Sequence, residues 1–230
     1  NLTRGDTKPR LDVRQTEYGL VYTAVRALED GMEYHRIHPF LFPFHTMIGG
    51  SISDDGELTG FNGKAWVPMD DDQTLVLEWQ FRPGRPWTEE ERQQIIENRN
   101  PHGFLPDNTL DPIGQWKLAA NEENNFLWNY EVQRKQLYFG VLSNPLQDGA
   151  VQQSMGSIYD RSKEHLGTAD SMIIRMRRRL IDATRQVAEG QSPPGVDTPQ
   201  VYAIRPAGAI LPAGADWYKE TESRRHVGGR

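Results

Sequence analysis

The sequence contains no cysteine. Disulfides, thiolate zinc sites, cysteine nucleophiles and cysteine-ligated iron–sulfur clusters are therefore excluded within these 230 residues. A cytoplasmic home is the expectation that fits. No run of about 18 apolar residues exists, so no transmembrane helix is expected. The longest apolar stretch, Phe40 to Ile48, is cut by Pro43 and His45. No signal-peptide pattern is visible. The G-x-S-x-G elbow of serine hydrolases is missing, and so is a glycine-rich phosphate loop: Gly49-Gly50 runs into SISDDG, a turn sequence. Basic excess is lacking too. The formal net charge is −6, which argues against nucleic acid as the partner.

What is present suits a globular chain with a real core: 37% hydrophobic and 25% charged residues. The first half reads as β. Gly19 to Arg26 alternates apolar with polar or small residues, and Met32 to Phe40 and Phe42 to Ile48 follow the turn at Asp30-Gly31. Ala65 to Met69 and Thr74 to Phe81 flank Asp70-Asp71-Asp72, a hairpin signature in an antiparallel sheet. Thr88 followed by three glutamates caps a short helix to about Asn98. Arg82 to Asp111 otherwise reads as a long irregular stretch of the kind that makes lids and binding loops.

The last third reads as helical. Ala150 to Tyr159 would place Val151, Met155 and Ile158 on one face. Ala169 to Glu189 carries an apolar stripe through Met172, Ile173, Met176, Leu180, Ala183 and Val187, with Thr168 as N-cap and Gly190 as the stop. Its basic cluster, Arg175 to Arg179, reads as a solvated face. Leu137 to Leu142 reads as strand-like. QVYAIRPAG reads as one more strand or an extended arm. The expected class is α+β, an antiparallel sheet gripping a long helix, and a cavity between the two would suit an apolar ligand.

Among candidate residues, His35, His38 and His45 make a poor metal set. His35 and His38 would point to opposite faces of a strand, and prolines separate His38 from His45. His45, in the most apolar segment, is expected to line a pocket. Asp70 to Asp72 reads as an exposed turn rather than a cation site. Arg36, alone in an apolar β run, either faces solvent, meets a structural carboxylate or clamps the carboxylate of a substrate, because burying its charge unpaired is costly. Spacing alone makes Asp148 an N-cap residue of the Ala150–Tyr159 helix.

The segment QDGAVQQSMGSIYDRSKEHLGTADSMIIRMRRRLIDATRQ resembles the C-terminal region of Rieske non-haem iron oxygenases, most of all large (alpha) subunits of the phthalate dioxygenase type. Its markers here are Gln147-Asp148, Ser154-Met155-Gly156, Asp160-Arg161, Glu164 to Gly167, and Asp170. TRGDTKPRLDV, FLFPFHTMI, WVPMDDDQT, NNF and EVQR extend the likeness over nearly the whole chain. The resemblance implies a helix-grip (START/Bet v1-like) fold and a mononuclear Fe(II) held by two histidines and one carboxylate, which falls on Asp148. The histidine pair and the [2Fe-2S] Rieske cluster would lie in polypeptide preceding Asn1, so that residues 1–230 form the C-terminal portion of a catalytic domain. Gly149 and Gln153 depart from the family's usual residues without removing the ligand.

The implied activity is hydroxylation of an aromatic, or an aromatic carboxylate, with O2 and electrons from a reductase or ferredoxin. A homo-oligomer such as a trimer is implied as well, with neither nucleic acid nor membrane as a partner. Arg36, His45, Phe139 and Arg4 are the candidate substrate contacts, with Tyr138 or Phe139 as an aromatic wall beside the iron. A second reading is a helix-grip module that carries an apolar ligand without metal or catalysis.

Overall fold

The computed structural model describes residues 2, 6–50, 52–54, 56–82, 84–106 and 113–228. They divide into two compact units, one of residues 1–85 with 163–230 and one of residues 86–162. Among the described residues no helix is long and apolar enough to cross a membrane.

The first unit holds a seven-stranded antiparallel sheet. Strands β1 (Arg10–Thr16), β2 (Gly19–Ala27), β3 (Met32–Leu41), β4 (His45–Gly49), β5 (Phe61–Pro68) and β6 (Thr74–Phe81) follow one another in space as in sequence. The β5–β6 hairpin turns where the three aspartates stand, and the Asp70 side chain accepts from the amides of Asp72 and Gln73. β3 is long enough to serve two partners on one edge. Phe40–Leu41 pairs with β4, while Met32–Ile37 pairs with β7 (Ala207–Pro212).

Both faces of β2 and β3 are covered. On one, Leu20, Phe40, Phe42 and Val13 meet Met172, Met176 and Leu180 of the long helix α4 (Ser171–Ala188). On the other, Val21, Ile37 and Leu41 pack with Ile204, Ala207 and Trp217. The Trp217 indole N–H, at the start of α5 (Trp217–Glu220), donates to Asp12 at 2.7 Å. A last short helix, α6 (Glu222–Arg225), follows. Each large apolar side chain buried this way stabilises by about 1.5–3 kcal/mol, which is what holds a sheet between two layers. The arrangement is α+β helix-grip, as expected.

Helix α4 begins at Ser171, after a single 3-10 turn at Thr168–Asp170, so Asp170 rather than Thr168 is the N-cap. Gly190 stops it as expected: its amide donates to Val187 O and the Gln191 amide to Gln186 O, the paired bonds of a left-handed C-terminal cap. The arginine cluster is a solvated face only in part: Arg175 and Arg178 are exposed, but three of its arginines are engaged. Arg175 donates to Val13 O at 2.9 Å, Arg179 to the carbonyls of Thr16 and Gly19, and Arg177 pairs with Glu164. Of the apolar stripe, Ile173 and Val187 are exposed.

The second unit contains α1 (Glu89–Arg99), α2 (Tyr130–Lys135) and α3 (Asn144–Gln153). Thr88 and Glu91 form a reciprocal capping box at α1, as the sequence predicts. Residues 83 and 107–112 of the expected irregular stretch lie outside the described residues. Ala120, Val141 and Leu146 are the core, with Leu118, Trp128 and Phe139 packed on it.

Two local expectations fail in this unit. The helix assigned to Ala150–Tyr159 starts six residues earlier and ends at Gln153, leaving Val151, Met155 and Ile158 exposed. Pro145, in the first turn, favours the earlier start, and the backbone turns at Gly156. Leu137–Leu142 is a turn and not a strand, because Gly140 takes φ 77° and lets the chain reverse onto Trp128 and Asn129. The QVYAIRPAG segment is split: Pro199–Tyr202 is 3-10, and only Ala207 onward joins the sheet.

Candidate functional site

Asp148 sits inside α3, not at its N-cap, which is Ser143. The Ser143 hydroxyl does not cap the helix; it is turned to the carbonyl of Arg99. Asp148 is exposed, and among the described residues its carboxylate makes no hydrogen bond or ion pair. Its neighbour Gln147 is tied down instead, donating from Nε2 to Val141 O at 2.5 Å. Helix α3 buries Leu146 and Ala150 in the second unit's core and so fixes the direction in which Asp148 leaves it.

Upstream of α3, Phe139 lies on Trp128, ring centroids 5.2 Å apart, while Tyr138 is exposed. The NNF stretch departs from ordinary backbone. Asn125, Phe126 and Leu127 all take φ near 50°, a left-handed run that costs non-glycine residues about 1–2 kcal/mol each. Burial of Phe126 helps hold it there. Single-sequence reasoning has no signal for such a turn.

The remaining sequence candidates lie in the first unit, except Arg4, which falls outside the described residues. Arg36 faces Ala24 and Gly208 across the ladder and donates from Nη2 to the carbonyl of Gly49. Its Nε is buried, with no hydrogen-bond partner among the described residues. His35 and His38 do occupy opposite faces. His35 Nδ1 lies 3.4 Å from the Thr23 hydroxyl, and His38 stacks on Tyr22 at 5.0 Å. Burial holds both imidazoles below their ordinary pKa, His38 at about 3. Among the described residues no group of three histidine, cysteine, aspartate or glutamate side chains is placed to hold a metal ion.

His45 lines a cavity of about 750 Å³ in the first unit. Its walls come from the β3–β4 turn, from Met47 and Trp79 on the sheet, from Ala183 and Val187 at the end of α4, and from Pro193 to Tyr202 beyond it. Trp79 can lie flat there because Gly63 stands opposite on β5: a Cβ at that position would come 2.1 Å from the indole. The proline-rich segment after α4 is a wall of the cavity, through Pro193, Pro194 and Val196. The Tyr202 hydroxyl anchors it by donating to Pro194 O at 2.9 Å. Burial lowers the pKa of His45 from its ordinary value, so its imidazole is neutral at pH 7.

A family model described as LigXa C-terminal domain like matches residues 3–228. The chain is 32% identical over 229 residues to the 3-chlorobenzoate-3,4-dioxygenase oxygenase subunit of Comamonas testosteroni, covering 94% of this chain and 51% of that protein. It is 28% identical over 219 residues to the phthalate 4,5-dioxygenase oxygenase subunit of Pseudomonas putida, covering 92% and 46%. It is 26% identical over 196 residues to the phenoxybenzoate dioxygenase subunit alpha of Ectopseudomonas oleovorans, covering 85% and 39%. The chain thus spans about half or less of the length of these curated relatives. With residues 3–228 inside the family match, this chain belongs to the LigXa C-terminal domain-like family.

Proposed function

We propose that this chain is the C-terminal, substrate-binding portion of the terminal oxygenase component of a Rieske non-haem iron oxygenase. The component would hydroxylate an aromatic with O2 and electrons from a reductase or ferredoxin. The observation that carries this proposal is Asp148: an uncommitted carboxylate on a helix whose other face is locked in a core. Support comes from relatives named as dioxygenase oxygenase subunits.

The donor set present fits one ligand of a facial triad and no more. Asp148 offers an anionic oxygen, and the described residues supply no histidine pair beside it. The two imidazoles would come from polypeptide outside these 230 residues, as would the Rieske cluster. Iron bound there would supply oxygen activation. This chain's own residues hold and orient. Helix α3 presents the carboxylate, and Phe139, backed by Trp128, offers an aromatic surface. Arg36 retains an unsatisfied Nε–H on a planar cation suited to a substrate carboxylate. His45 presents a neutral imidazole to the cavity of the first unit.

Asp148→Ala in the complete oxygenase subunit tests the assignment. Iron affinity is expected to fall by about 100-fold or more, since even outer-shell losses cost 10- to 100-fold. Turnover is expected to vanish while circular dichroism stays unchanged, because the side chain is exposed. Full iron content in that variant would take Asp148 out of the site.

A further inference from the structure

We propose that the cavity of the first unit binds an uncharged polycyclic aromatic molecule of about three fused rings, and that it discriminates against the corresponding carboxylate. This proposal is independent of the role assigned to Asp148, because every wall residue belongs to the first unit and none is a metal ligand.

Size comes first. A dry apolar cavity of about 150 Å³ already accepts benzene. A space of about 750 Å³ exceeds what one ring fills and lies in the range of pockets that bury most of a drug-sized molecule. The walls are suited to flat rings. Phe42, His45, Trp79 and Tyr202 are ring side chains, and Met47 and Leu180 fill between them. Tilted or offset contacts between rings are favourable beyond the area they bury.

Charge decides the selectivity. Among the described residues, no lysine, arginine, aspartate or glutamate lines the cavity. Two of the polar wall groups are already engaged: the Tyr202 hydroxyl with Pro194 O and the Thr184 hydroxyl with Ile181 O at 2.8 Å. The Arg179 guanidinium lies on the Phe42 ring at 4.8 Å, and its donors serve the carbonyls of Thr16 and Gly19. Arg36, the expected carboxylate clamp, is not a wall residue. A carboxylate entering this space would shed water and meet no counter-charge, a penalty that an alcohol escapes. The neutral His45 imidazole can instead accept a hydroxyl proton or donate to an ether or carbonyl oxygen.

The test is calorimetric or fluorescence titration of the purified full chain, iron-free, at pH 7.5, with phenanthrene-9-methanol and phenanthrene-9-carboxylate. The alcohol should bind at low micromolar concentration and the carboxylate at least tenfold more weakly. Ala183→Phe, which places a ring in the cavity from α4, should weaken the alcohol at least tenfold while leaving the circular dichroism spectrum and thermal midpoint as they were. If that variant fails to fold, Val187→Trp provides the same obstruction from an exposed position. No uptake of the alcohol would remove the site, equal affinity for the carboxylate would remove the selectivity, and unchanged binding in both variants would move the ligand elsewhere. None of these outcomes alters iron occupancy at Asp148, so the two proposals fail separately.

Discussion

His38 is only 6% exposed, stacked on Tyr22 and flanked by Arg36 and Arg26. Burial first, and the two arginines second, push its pKa from 6.5 down to about 3, against a backbone hydrogen bond at Met47 that works the other way. In the unfolded chain the imidazole protonates near pH 6.5; in the folded chain it stays neutral to about pH 3. Between those values the unfolded state binds the extra proton. Stability is therefore complete above pH 6.5 and declines as pH falls towards 3, by up to about 1.4 kcal/mol per unit for this one group. Urea midpoints at pH 7.5 and 4.5 should show the loss. His38→Phe, which keeps a ring on Tyr22, should flatten that part of the profile, and an acid slope as steep as before would exonerate His38. The opposite facing of His35 and His38 was legible from their three-residue spacing, since strand side chains alternate. Their burial was not, because alternation cannot tell a strand covered on one face from one covered on both.

At the scale of elements, α4 is fastened to the sheet by guanidinium groups as well as by methionines. Arg179 bonds to two carbonyls at the ends of β1 and β2 and lies on Phe42, whereas Arg178, one residue away, is exposed. Arg179→Ala should cost about 2–3 kcal/mol, the scale of charge-assisted bonds lost together with a cation–π contact. Arg178→Ala should leave the urea midpoint nearly unmoved. Equal effects would return the cluster to the role of a solvated face. The helical period gave the place of α4 and most of its stripe, but a run of arginines carries no mark of which carbonyls it will reach. Helix α3 was misplaced for a more local reason. Asp148-Gly149 looks like a cap and start, yet Ser143-Asn144-Pro145 carries the stronger geometric signal, proline in the first turn. The error also moved Asp148 from a capping position to mid-helix, where no backbone amide claims its oxygens.

At the scale of the whole molecule, the hairpins between neighbouring strands were readable because turn and alternation lie within a few residues of each other. The return of β7 to β3 was not, since that pairing joins distant parts of the chain and rests on β3 outlasting its partnership with β4. Nor did composition mark residues 86–162 as a unit with a core of its own. That core is small, and Leu146, 1% exposed, is its largest fully buried aliphatic side chain. Leu146→Ala should cost about 2–5 kcal/mol through lost transfer energy and the cavity left behind. Because Leu146 packs with Ala120, Val141, Leu118, Trp128 and Phe139, described residues of the same unit, the damage should stay there. Amide hydrogen exchange in α1 and α3 should rise by one to two orders of magnitude or more, at about tenfold per 1.4 kcal/mol, while β2 and β3 keep their protection. Equal acceleration in β2 and β3 would mean that Leu146 supports more than its own unit, and the reading of residues 86–162 as separately stabilised would fall.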